Sequence, residues 1–99
     1  MKTISNQRKP TLMTNLERAR AAEECLDHFV HLTGPDLTMA EAAGDLICNI
    51  GHYCRFNEMD FLKVVRTGIG HWHLEQIDED SLDALPDVTI IINQGKPAM

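Results

Sequence analysis

From Leu16 onward, apolar residues recur at intervals of three and four: Leu16, Ala19, Ala22, Leu26, Phe29 and Val30. That spacing puts them on one face of an α-helix. Thr14-Asn-Leu-Glu17 precedes the stripe and has the form of a capping box, in which threonine hydroxyl and glutamate satisfy exposed backbone N–H groups reciprocally. Thr33-Gly34-Pro35 ends the pattern, with glycine suited to a left-handed cap and proline unable to continue. A second box, Thr38-Met-Ala-Glu41, opens a second helix, which should stop near Arg55. Its expected buried face is Leu46, Ile50 and Tyr53, flanked by Ile47 and Cys54. Asn57-Glu-Met-Asp60 reads as a turn and cap. A third helix, from near Asn57 to about Gln76, carries Leu62, Val65, Ile69 and Trp72 on one face. Gly68 and Gly70 weaken it by ~1 kcal/mol each relative to alanine, unless they let another helix approach closely.

The pattern predicts an all-α fold, a three-helix up-down-up bundle, because two short connections join three helices. Residues 1–13 contain Pro10, show no period and read as a mobile arm. Residues 14–77 form the helical domain, and 78–99 an acidic linker with a short strand-like tail. In that tail Asp87-Val-Thr-Ile-Ile-Ile-Asn93 is β-branched and too short for a helix of consequence. Val88, Ile90 and Ile92 would face one side of a strand, and Thr89, Ile91 and Asn93 the other. A lone strand leaves its backbone groups without partners. It must either lie irregularly across the helices or pair with another chain, so Val88, Ile90, Ile91 and Ile92 are the expected partner-binding residues, in a homodimer or with a different protein.

Ninety-nine residues make one domain with a modest core, which leaves a dimer open. No apolar run nears the ~18 residues a membrane span needs. Lys2, Arg8 and Lys9 have no apolar segment behind them, so no signal peptide is expected. Three cysteines on helix-like stretches suit reduced thiols, hence a cytoplasmic setting. The net charge of −6 is uneven. Residues 1–20 hold five basic groups and one acid, whereas Glu75 to Asp87 holds six acids and no Lys or Arg. Such a tail repels a phosphate backbone, which disfavours nucleic-acid binding.

The densest polar constellation is Asp45, Asn49 and His52, spaced four and then three residues apart along one side of helix two. His71, near the end of helix three, could return beside them. A carboxylate, an amide and imidazoles converging between helices would suit a divalent metal, the one cofactor this set favours. Glu41 extends the line but already serves its cap. Cys25-x-x-His28 with Cys48 and Cys54 offers zinc-type donors, but these lie inside helices without paired-ligand spacing. Buried packing is therefore expected for the cysteines, and Trp72 continues an apolar stripe. No nucleophile elbow, phosphate-cradling glycine loop or HExxH is present.

Ala43-Gly-Asp-Leu-Ile-Cys-Asn-Ile-Gly-His52, Met59-Asp-Phe61 and Thr67-Gly-Ile-Gly-His71 resemble a family of short uncharacterised helical proteins of bacterial phages and mobile elements. Their pattern is roughly DLLxDLxH, then GLDF, then RAxxHxxxE. Glu17-Arg-Ala-Arg-Ala-Ala-Glu-Glu24 is similar to their first helix, so the likeness spans about residues 16–75. Asn49 stands in place of the pattern's second aspartate, and Met59 in place of its glycine. More distantly, Glu24-x-x-Asp27 and Asp45 resemble the ExxE and ExxD carboxylates of the all-α MazG-type nucleotide pyrophosphatases, which bind magnesium. The glutamate expected three residues before Asp45 is Ala42. The first resemblance implies a phage or mobile-element setting and no established activity. The small size, acidic tail, unpaired strand and incomplete catalytic set then point to a non-enzymatic protein-binding protein, regulatory or inhibitory, acting on a host or phage protein in the bacterial cytoplasm. The second implies a magnesium-dependent nucleoside triphosphate pyrophosphatase using Glu24, Asp27, Asp45 and His52.

Overall fold

Both capping boxes form as their spacing requires. The Thr14 hydroxyl accepts the Glu17 N–H at 3.1 Å, and Glu17 Oε1 accepts the Thr14 N–H at 2.8 Å. Thr38 and Glu41 repeat the exchange at 3.1 and 2.9 Å. These are contacts of a computed structural model that describes residues 13–95; the N-terminal arm lies almost entirely outside them. The helices are α1 (Asn15–Thr33), α2 (Met39–Phe56) and α3 (Phe61–Ile77). The fold is all-α, with three helices and, among the described residues, no strand. Helix α3 begins a few residues later than the apolar pattern alone suggests, because Asp60 is its cap: the carboxylate accepts the Lys63 N–H at 3.0 Å.

The ends of α1 and α2 are closed by different devices. The Gly34 N–H donates to Val30 O at 2.9 Å, but Gly34 has φ 167, an extended conformation and not the left-handed cap expected of it. The left-handed position falls instead at Glu58, with φ 56, where a glutamate takes a conformation that favours glycine. Around it the Met59 N–H reaches Cys54 O at 2.8 Å, and the Asn57 amide donates to Tyr53 O at 2.8 Å.

Two glycines mark where elements press together. A Cβ on Gly51 of α2 would lie 3.1 Å from the Phe61 ring, so the start of α3 sits directly on α2 there. A Cβ on Gly70 would meet Leu85 at 3.4 Å and Pro86 at 3.5 Å. The close approach expected at Gly68 and Gly70 is therefore made at Gly70 alone, by the C-terminal segment and not by a helix. Gly68 has open space around it.

The last turn of α3 returns to the first turn of α1. Arg18 lies 3.6 Å from the Glu75 carboxylate, and the Asn15 side chain donates to Glu75 O at 2.8 Å. Asn15 N–H donates to Glu79 Oε1 at 2.6 Å, and Arg18 donates to Glu79 O at 3.2 Å. The up-down-up expectation does not contain this contact. With helices side by side, those two ends lie a helix length apart, on the order of 25 Å. Here the helices diverge between their junctions.

That divergence changes the expected core. Among the described residues, the apolar side chains that are buried are Phe29, Ala42 and Cys54. Leu26, Val30, Leu46, Phe61 and Val65 are half-buried. The same stripes are open elsewhere: Leu16, Ile47, Ile50, Tyr53, Leu62, Ile69 and Trp72 are exposed. The helical periodicity is as read, but the faces it defines are only partly covered.

Candidate functional site

The proposed metal ligands do not meet. Asp45, Asn49 and His52 are all exposed on α2, and His71 is exposed on α3. Among the described residues, no three His, Cys, Asp or Glu side chains are grouped to hold a metal ion, so Asp45, His52 and His71 are not brought together. Helix α3 touches α2 at Gly51 through Phe61, at its first residue, and His71 lies nearly three turns further along a helix that leads away. Glu24, Asp27 and Asp45 likewise form no cluster, and all three are exposed. Glu41 is held by its cap. Its carboxyl sits below the ordinary glutamate value because it accepts the Thr38 backbone N–H, with the Thr38 side chain adding to the effect.

The cysteines divide. Cys54 is buried, in line with packing as a small hydrophobe, whereas Cys25 and Cys48 are exposed free thiols. The expectation of burial for those two is corrected: both lie off the side of their helices that faces a neighbour. Trp72 is corrected in the same way. It continues the α3 stripe, but at 61% exposed it is only partly covered by the described residues.

The C-terminal segment is held at one end and free at the other. Leu85 and Pro86 pack on Gly70, and Arg66, Thr67 and Val88 line a groove of about 420 Å³ beside this contact. Val88 and Ile90 are half-buried and Thr89 is exposed, which is the alternation expected of extended chain. The alternation ends there. Ile91 and Ile92 are both 73% exposed. The segment lies along its own helix without forming a strand, so of the four expected partner-binding residues two are partly occupied internally and two are available.

Two features escaped the residue pattern. One is the Asn15–Arg18–Glu75–Glu79 network, whose only trace in the sequence is an arginine on α1 and acids after residue 74. The other is the extent of bare apolar face, with Tyr53 and Trp72 each 61% exposed. A space of about 320 Å³ between α1 and α3 is lined by both Ala19 and Trp72, so the open stripes of these two helices border common ground. No helix among the described residues is long and apolar enough to cross a membrane. Compared with family models, curated proteins and solved structures, the chain has no match.

Proposed function

We propose that this is a non-enzymatic protein-binding protein, a self-associating regulator or inhibitor that engages a host or phage protein in the cytoplasm of a bacterium. The observation that carries this reading is the end of the C-terminal segment. Beyond its anchor at Gly70 the chain belongs to no helix or strand, has no ladder partner among the described residues, and presents Ile91 and Ile92 side by side to solvent. A segment of this kind adds as an extended strand to an exposed sheet edge. Its main-chain groups supply hydrogen bonds and alternate side chains fill pockets. Leaving each isoleucine in water forgoes about 1.5–3 kcal/mol of burial. The resemblance to short phage and mobile-element proteins supplies the setting.

The pyrophosphatase reading has no grouped carboxylates among the described residues to support it, and magnesium relies on several anionic oxygens at one point. The deciding experiment is capture from bacterial lysate with the full chain and with an Ile91→Glu/Ile92→Glu variant. One stoichiometric protein retained by the first and lost by the second is expected. Magnesium-dependent release of pyrophosphate from nucleoside triphosphates, abolished by Asp45→Ala, would replace this reading with its rival.

A further inference from the structure

The bare stripes of the three helices are a different surface from the tail. They pose a sharper physical problem, because they are what the chain's own periodicity marks as its core. Leu16, Ile47, Ile50, Tyr53, Ile69 and Trp72 are between 38% and 61% exposed, while only Phe29, Ala42 and Cys54 are buried apolar side chains among the described residues. Folding must offset the conformational entropy of every ordered residue, chiefly by apolar burial. A chain of this length ordinarily removes well over half of its surface from water. These helices, alone, do not.

We propose that a second copy of this chain covers the open faces of α1, α2 and α3, so that the core is completed only in a homodimer. This rests on reading the protein as self-associating, and it assigns that association to the helix faces and not to the tail. Three observations identify the occupant. The first is area: Tyr53 and Trp72, at 61% exposure, leave on the order of 100–150 Å² each uncovered. With Leu16, Ile47, Ile50 and Ile69 the uncovered apolar side chains of the three helices come to on the order of 600 Å², most of the ~800 Å² per partner of a stable interface.

The second observation is charge. Two copies carrying −6 each repel unless they meet where charge is absent. Residues 46–54 of α2 and 67–74 of α3 contain no Asp, Glu, Lys or Arg. These are the stretches that carry Ile47, Ile50, Tyr53, Ile69 and Trp72, so the bare face is also the uncharged one. An isologous contact sets each patch against its own copy, and an uncharged apolar patch is self-complementary without opposing like charges.

The third is the lack of another occupant within the chain. Residues 1–12 hold Met1, Ile4 and Leu12 as their only large apolar side chains, and residues 96–99 hold Met99. Neither carries a stripe that could line three helices. A second copy, by contrast, is present whenever the chain is, and a protein whose folded state depends on its partner is stable only if that partner is always at hand.

The test is sedimentation of the full chain over a range of concentrations, with the emission of Trp72, the single tryptophan, followed in parallel. The expected result is twice the chain mass at high concentration. On dilution, Trp72 emission should move to the red in step with loss of dimer. Trp72→Glu should weaken the dimer at least ~30-fold, the loss typical of a buried aromatic anchor, whereas Ile91→Glu/Ile92→Glu should leave it unchanged. If Trp72→Glu does not fold, the wild-type dilution series decides alone. A folded monomer at every concentration overturns the proposal, as does a dimer whose dissociation leaves Trp72 emission unmoved. Association lost in the tail variant and kept in Trp72→Glu overturns it too. In the monomer case, tail-dependent capture of a partner would leave the protein-binding reading standing while this one fell.

Discussion

The Arg18 guanidinium stands 3.6 Å from the Glu75 carboxylate, tying the first turn of α1 to the last turn of α3. Neither side chain is fully exposed, and Arg18 also donates to Asn15 Oδ1 at 2.8 Å and to Glu79 O at 3.2 Å. One arginine therefore holds three acceptors from two ends of the chain. Arg18→Ala is expected to lower stability by about 1–2 kcal/mol, more than an exposed ion pair would. A double-mutant cycle with Glu75→Ala in urea should give a coupling of at least ~0.5 kcal/mol. Additive effects would show that the ends are held by something else.

Gly51 and Gly44 both lie within α2, yet they should respond differently to the same change. Alanine in a helix interior gains ~1 kcal/mol over glycine. At Gly44 nothing lies within 4 Å of the new Cβ, so that gain should appear in full. At Gly51 the Cβ lands 3.1 Å from Phe61, and overpacking of that kind costs about 1–3 kcal/mol. Thermal unfolding at one fixed protein concentration should place Gly44→Ala above the parent, and Gly51→Ala at least ~1 kcal/mol below Gly44→Ala.

Glu58 offers a gain without any loss of contact. At φ 56 an L side chain crowds the following carbonyl, a strain of about 1–2 kcal/mol that glycine does not feel. Glu58→Gly forgoes part of that to the greater freedom of glycine in the unfolded chain. A net gain of about 0.5–1 kcal/mol is expected in denaturant titration, and a loss would mean that the Glu58 side chain holds a contact of its own.

Acid should loosen the start of α2 by a route that can be isolated. The Glu41 carboxyl is lowered in the folded protein, first by the Thr38 backbone N–H and then by the Thr38 side chain. A depressed folded value means the contribution is complete above the unfolded glutamate value of about 4.3 and is lost as pH falls through the folded one. Glu41→Gln keeps a group that can accept the same N–H but cannot titrate. Its stability should fall less steeply between neutral pH and the acid limb than that of the parent, as followed by helical circular dichroism.

The tail is held through a space that a side chain would fill. Leu85 and Pro86 lie against Gly70 at 3.4 and 3.5 Å from the position of a Cβ, which is ordinary contact distance. Gly70→Ala should therefore be tolerated, while Gly70→Leu has nowhere to go and should lift the segment off α3. Limited proteolysis between residues 84 and 92 is the readout, expected to be faster in the leucine variant alone.

How much of this was readable in advance follows from the range of the forces involved. Capping boxes, helix periods and the acid-rich segment are set by residues within four positions of one another. Thr14, Thr38 and the three stripes therefore determined three helices and their apolar faces from the sequence alone. The all-α architecture needed nothing more. The placement of one helix against another depends instead on pairs far apart in the chain. Arg18 meeting Glu75, Phe61 lying on Gly51 and Leu85 seated on Gly70 have no local signature, because an arginine or a glycine looks the same whether or not its partner arrives. Those contacts decided that the stripes stay partly uncovered, that Asp45 and His71 join no common cluster, and that Trp72 is largely exposed. Periodicity says which side chains must leave water, and only the tertiary structure shows whether the same chain has anything to cover them.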